Sequence, residues 1–77
     1  MLDAAQCRAA RAMVEMSRDA LAERAKVASR TIADFEAGKR EPIHATKAAI
    51  RAALEAAGVE FIPENGGGAG VRLRKGG

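Results

Sequence analysis

The chain contains no tryptophan or tyrosine, and phenylalanine occurs only twice among its 77 residues. Aromatic side chains therefore cannot fill most of a core, although 48% of the residues are apolar. Alanine supplies much of that apolar fraction, so the core must come from closely packed Ala-rich helices around a few large side chains. The candidates for these large core residues are Leu21, Ile32, Phe35, Ile50 and Leu54.

Cysteine and histidine are equally scarce, with one of each, Cys7 and His44. A single cysteine excludes a disulfide within the chain, and these two residues cannot supply the four ligands of a structural zinc site. The two serines, Ser17 and Ser29, show no pairing with a general base, and no phosphate-binding loop is present. We therefore expect no enzymatic activity, no cofactor and no metal.

Long apolar runs are absent as well. No stretch approaches the length of a membrane span, and the first residues lack the apolar segment of a signal peptide. A lone thiol suits a reducing compartment, so the sequence predicts a cytoplasmic protein without a membrane partner. The net charge of +3 permits a polyanionic partner without requiring one.

The small size of the chain has its own consequence. Below roughly 70–80 residues, a single core is marginal and is often supplemented by disulfides, a metal or a partner subunit. The first two are excluded here, so we expect a homodimer.

Four helices are predicted before residue 58. The first runs from about Asp3 to Met16, with Asp3 as N-cap and Gln6 placed for a capping box. Helical spacing predicts that its buried stripe consists of Leu2, Ala5, Ala9, Ala12, Met13 and Met16.

The next three helices have recognisable start and stop signals. Ser17 caps the second, which ends near Lys26, and Gly38 stops the third, which starts near Ser29. Pro42 prevents a helix from running through the following loop, so the fourth spans about His44 to Ala57. We expect their buried residues to be Leu21, Ala22, Ala25, Ile32, Phe35, Ile43, Ile50, Leu54 and Ala57.

After Gly58 the pattern becomes alternating. Residues 59–62 and 71–74 predict two strands joined by a Gly-rich turn. The chain thus divides into a helical unit, residues 1–58, and a hairpin, residues 59–75. A lone hairpin is marginal in water, so it either packs on the helices or joins a partner's hairpin in a shared sheet.

We favour the shared sheet as the dimerisation element, and a tail without fixed structure beyond Ile62 is the remaining alternative. The dimer contacts would come from Val59, Phe61, Val71 and Leu73.

The second and third helices, with their tight turn and the Gly-Lys-Arg exit, match a helix-turn-helix. The second helix of such a motif enters the DNA major groove, and its early residues reach the base edges. With Ile32 and Phe35 facing inward, the outward base-contacting candidates are Ser29, Arg30, Ala33 and Asp34.

Each candidate suits a particular contact. Arg30 can bond guanine O6 and N7 together, Ala33 can contact a thymine methyl, and Ser29 can bond a base or a phosphate. Asp34 can accept from cytosine N4 or orient Arg30. The phosphate-contacting candidates flank the recognition helix and are Ser17, Arg18, Lys39 and Arg40.

The spacing of these residues resembles that of a known family. The matching positions are Leu21, Ala22, Ala25, Val27, Thr31, Ile32, Phe35, Glu36, Gly38, Arg40 and Pro42. Over about residues 5–57 the chain resembles the Cro/repressor-type helix-turn-helix family, or XRE family. The resemblance implies a lambda-repressor-like bundle of about four helices, double-stranded operator DNA as partner, and DNA-facing positions at Arg18, Ser29, Arg30 and Ala33.

The same resemblance implies a structural pair between Arg11 and Glu36. The chain departs from the family at two positions, where Lys26 replaces the turn glycine and Ala28 replaces the Ser or Thr N-cap. Its end resembles that of small bacterial members with a C-terminal hairpin.

The sequence therefore favours a DNA-binding transcriptional regulator. The expected form is a dimeric repressor on an inverted-repeat operator, with no small-molecule effector evident. The alternative is a protein-interaction module, such as an antitoxin or antiactivator, built on the same fold.

Overall fold

The computed structural model describes residues 2–64 and 66–74. Four helices, α1 (Ala4–Met13), α2 (Arg18–Ala25), α3 (Ser29–Glu36) and α4 (His44–Ala56), precede two strands, β1 (Val59–Ile62) and β2 (Gly70–Leu73). The predicted mainly helical domain with a C-terminal hairpin is confirmed. Asn65 and Lys75, in the predicted turn and tail, lie outside the described residues. Every helix in the described ranges is too short or too polar to cross a lipid bilayer.

Helix α1 begins as the sequence predicted and ends earlier. The Asp3 carboxylate accepts from the Gln6 N–H at 2.8 Å, and the Gln6 side chain accepts from the Asp3 N–H at 3.0 Å. This capping box satisfies two backbone donors at the helix start. The helix stops at Met13 rather than Met16, because the chain turns away there and Glu15 adopts a left-handed conformation with φ 54°.

The predicted apolar stripe of α1 is confirmed at Leu2, which is buried, and at Met16, which packs partly buried against the core, but is wrong at the other four positions. Ala5, Ala9 and Ala12 are exposed and Met13 is 39% exposed, whereas the helix buries Gln6, Cys7 and Ala10, with Leu2 just before it. The physical reason is that an alanine methyl gains little from burial and so marks a face weakly. Gln6 is buried because both ends of its amide are hydrogen-bonded.

Helices α2 and α3 are capped unequally. Ser17 Oγ accepts from the Ala20 N–H at 3.0 Å, whereas Ala28, the N-cap of α3, offers no side-chain bond. Lys26 ends α2 in the left-handed conformation at φ 59°. Gly38 follows α3 at φ 76°, where glycine avoids the Cβ penalty.

Helix α4 supplies the centre of the core through Ile50, Ala53 and Leu54. All five large side chains predicted for the core are buried. Ile43, predicted to share the buried face, is instead 73% exposed. It is the N-cap of α4, and its extended backbone directs the side chain away from the helix face.

The hairpin packs against the helical core. Its strands pair antiparallel with Val59 opposite Leu73 and Phe61 opposite Val71, and β2 begins one residue earlier than predicted. Strand β1 packs on α4 and β2 packs on α1, with Val59 and Phe61 buried. The hairpin therefore rests on the helices of its own chain.

Candidate nucleic-acid interface

The N-terminal ends of α2 and α3 meet at a surface groove of about 300 Å³. Its lining combines five residues predicted to contact DNA with one that was not predicted. The groove residues are Ser17, Arg18, Asp19, Ser29, Arg30 and Ala33. The first turns of two helices thus share one open, polar surface, where free backbone N–H groups and positive helix-dipole ends favour an anion.

Helix α3 is held from behind by apolar packing. Ile32 is fully buried and Phe35 is 3% exposed. The Lys47 ammonium lies 5.7 Å from the centre of the Phe35 ring, at cation–π distance. The buried side of α3 is therefore fixed while its first turn stays accessible.

A buried ion pair ties α3 to α1. Arg11 Nε donates to Glu36 Oε2 at 2.8 Å and Nη2 donates to Oε1 at 2.7 Å, while Nη1 donates to the Met16 carbonyl at 3.0 Å. Arg8 also donates to the Glu36 carbonyl. The pair that the family resemblance implied between Arg11 and Glu36 is confirmed.

The pKa values of this cluster reflect both burial and bonding. Burial acts to raise the pKa of Glu36, but hydrogen bonds from Arg11 and Cys7 and the charges of Arg11 and Arg18 outweigh it, so the pKa is lowered. Burial and the hydrogen bond to Glu36 raise the pKa of the Cys7 thiol to about 12. Cys7 is fully buried and so is an inert packing residue.

The Arg30 side chain is open to solvent in the groove. It is 88% exposed, and its Nε lies 3.8 Å from Asp34 Oδ2, one helical turn along α3. This loose pairing leaves the two terminal guanidinium nitrogens free for the fork-like contact that guanine accepts. Asp34 itself is 24% exposed and is positioned to orient Arg30 rather than to line the groove.

Asp19 is the groove residue that sequence reasoning missed. Ser29 Oγ donates to Asp19 Oδ1 at 2.5 Å, so a side chain of α2 holds one of α3. An acidic residue in a first helical turn is favoured by the helix dipole, so Asp19 has an ordinary local explanation that does not point to the groove. No local spacing signals a bond between residues on different helices.

Lys39 and Arg40 lie apart from the groove, in the exposed loop after α3. Their backbone N–H groups donate to the Asp34 carbonyl at 2.9 and 3.4 Å, and this closes the end of the helix. Their side chains border a second depression, beside Asp3 at the start of α1. Among the residues that the structure describes, Arg18, Lys39 and Arg40 enter no ion pair, so their charges are free for an anion.

The four residues predicted for dimerisation share one face of the hairpin but differ in accessibility. Val59 and Phe61 are buried in the chain's own core, Val71 is half-buried, and Leu73 is 55% exposed. Only Leu73 offers a largely open side chain to a partner.

No known protein-family model matches the chain, and no curated protein is significantly similar to it in sequence.

Proposed function

We propose that this protein is a sequence-specific DNA-binding transcriptional regulator with a lambda-repressor-like helix-turn-helix, in which α2 supports α3 as the recognition helix. It acts as a homodimer that binds an inverted repeat and represses by occluding polymerase. The XRE-family resemblance of residues 5–57 and the mainly helical fold both support this assignment.

One observation carries the proposal. The first turns of α2 and α3 share an open groove that contains Arg18, Ser29 and Arg30, while Ile32 and Phe35 hold the opposite side of α3 in the core. A rigid helix with an exposed polar N-terminal turn is what direct contact with base edges in the major groove requires.

Residues in and around the groove have defined roles in the proposed complex. Arg30 donates to guanine O6 and N7, Asp34 orients it, and Ala33 contacts a thymine methyl. Ser17, Arg18 and the first N–H groups of α2 bind one phosphate, and Lys39 and Arg40 bind phosphates beyond the end of α3.

The open edge of β2 supports the homodimer. Arg74 N–H donates to the Gly58 carbonyl at 2.7 Å, and the alternation of an antiparallel ladder then directs the N–H and C=O groups of Val71 and Leu73 away from β1. The equivalent groups of Val59 are covered, since that residue is fully buried. Strand β2 therefore offers the accessible edge, and pairing with a second copy would extend the sheet to four strands.

The operator test begins with the full chain and a random duplex DNA library. Repeated selection should yield an inverted repeat whose half-sites lie about 34 Å apart, one helical turn of the duplex. Arg30→Ala should then lose preference at one base pair by roughly 1–3 kcal/mol in binding titrations.

The matched control is Arg24→Ala, which removes the same charge from an exposed position of α2 outside the groove. It should weaken binding to all sequences alike and leave the preferred base unchanged. Failure of selection to enrich any sequence would refute the regulator, and binding that is insensitive to salt would favour the protein-interaction module.

The dimer test is a measurement of molar mass by sedimentation. The protein should sediment at twice its 8.0 kDa chain mass, and Leu73→Arg should shift it toward monomer. Ile43→Arg is the control, because Ile43 is also an exposed large apolar residue but lies away from the hairpin. A monomeric wild-type protein at the concentrations that saturate DNA would contradict the dimer.

A further inference from the structure

Asp19 introduces a negative charge at a surface proposed to meet phosphates, and its position has a chemical consequence. The carboxylate lies in the same groove as Arg18 and Arg30, and it accepts a hydrogen bond from the Ser29 hydroxyl. A negative charge in this place repels the DNA phosphates and weakens binding to every sequence. Its presence is explained if Asp19 contributes to the recognition of particular bases.

The direction of the hydrogen bond is set by chemistry. An ionised carboxylate carries no proton and only accepts, so Ser29 must be the donor. A serine hydroxyl has one proton and two lone pairs. With its proton held by Asp19, the Ser29 oxygen presents only acceptor capacity to the groove.

Base edges in the major groove differ in whether they can donate to such an oxygen. Adenine presents its N6 amino group and cytosine its N4 amino group, whereas guanine presents two acceptors and thymine an acceptor and a methyl group. An acceptor-only Ser29 therefore distinguishes adenine and cytosine from guanine and thymine.

We infer that Asp19 is a specificity-determining residue that commits Ser29 to accept from the amino group of adenine or cytosine at one position of each half-site. The inference rests on the proposed DNA-binding function and extends it, because it names the base class that one residue selects. Asp19 acts through Ser29 and is a positioning residue.

The experiment compares the wild-type protein with Ser29→Ala and Asp19→Ala on the selected operator and on duplexes carrying each of the four bases at every half-site position. In the wild type, one position should favour adenine or cytosine, and Ser29→Ala should lose that preference, by roughly two- to tenfold for one neutral hydrogen bond. Asp19→Ala frees the Ser29 proton, so guanine and thymine should become acceptable at the same position only.

Two further variants separate the hydrogen bond from the charge. Asp19→Asn removes the charge but keeps an acceptor oxygen for Ser29, so it should retain the base preference. Glu23→Ala removes a charge from an exposed site one turn further along α2, and it should raise affinity for every sequence alike. Far-UV circular dichroism of each variant checks that the helices remain folded.

The outcomes distinguish this inference from the function on which it rests. Equal gains of Asp19→Ala and Glu23→Ala on all four bases, or a Ser29-dependent preference for guanine or thymine, would overturn the role of Asp19 and leave the regulator intact. Loss of the preference in Asp19→Asn would overturn it as well. A wild-type protein without sequence preference would refute both.

Discussion

The guanidinium of Arg11 donates two hydrogen bonds, of 2.8 and 2.7 Å, to the carboxylate of Glu36 and so links the first helix to the proposed recognition helix. The Glu36 side chain is 5% exposed and that of Arg11 is 20% exposed. Because Glu36 is the last residue of α3, the pair fixes one end of the helix whose other end forms the groove.

Removal of Arg11 should destabilise the fold strongly. Arg11→Ala leaves a buried carboxylate without its main partner, and breaking a buried pair in this way costs about 3–5 kcal/mol. Urea unfolding followed by far-UV circular dichroism measures the loss. Glu55→Ala is the control, because it breaks the half-exposed Arg51–Glu55 pair and should cost less than about 1 kcal/mol. Equal losses in the two variants would show that the Arg11–Glu36 pair has no special role.

Stability should depend on pH through Glu36. Its pKa is lowered in the folded state, so it contributes stability above the unfolded carboxyl pKa of about 4.3, and this is lost as the pH falls through the lower folded pKa. Urea midpoints measured from neutral to acidic pH should fall less steeply in Glu36→Gln than in the wild type. Glu55→Gln should leave the wild-type acid dependence in place, and parallel curves for all three proteins would contradict the assignment.

Replacement of Lys26 by glycine, in the turn between α2 and α3, should stabilise the protein. Lys26 is exposed and left-handed at φ 59°, a conformation that costs a residue with a side chain roughly 1–2 kcal/mol. Glycine loses more chain entropy on folding, so Lys26→Gly should raise the free energy of unfolding by at most about 1 kcal/mol. Arg24→Gly, inside α2, should lower it by roughly 0.5–1 kcal/mol. Destabilisation of similar size in both would show that Lys26 is not strained.

The salt dependence of the DNA-binding constant should reveal how many phosphates the protein contacts in the proposed complex. The logarithm of the binding constant should fall linearly with the logarithm of salt concentration, with a slope of about −0.9 for each neutralised phosphate. The variants Arg18→Ala, Lys39→Ala and Arg40→Ala should each lose one phosphate contact. Each should therefore reduce the magnitude of the slope by about 0.9. Arg72→Ala is the control and should leave the slope unchanged, because Arg72 pairs with Glu60 on the hairpin. An unchanged slope in Arg18→Ala would remove that residue from the phosphate contacts.

Sequence reasoning succeeded where a single residue type has one dominant local role. The capping box of Asp3 and Gln6, the Ser17 cap and the stop at Gly38 each depend on neighbours within a few positions, and all are confirmed. The five large side chains named as core candidates were also predicted correctly, since burial of a big side chain outweighs many other preferences, whereas Met13 and Ile43 are exposed rather than buried.

The errors arose where the local sequence does not determine which residues are buried or in contact. Alanine is compatible with either face of a helix, so most of the stripe of α1 was assigned to its exposed side and Gln6 was overlooked as a buried residue. Asp19 and Ser29 are ten positions apart, and their contact depends on how α2 packs against α3. Tertiary contacts of this kind leave no periodic signal.

The bond between Gln6 and the Gly70 carbonyl, 3.1 Å long, joins residues 64 positions apart and links the first helix to the last strand. During synthesis, α1 therefore cannot complete its packing until β2 has left the ribosome. Since α1 also packs on α3, we expect a nascent chain to acquire the proposed DNA-binding activity only when nearly all of the domain has been made.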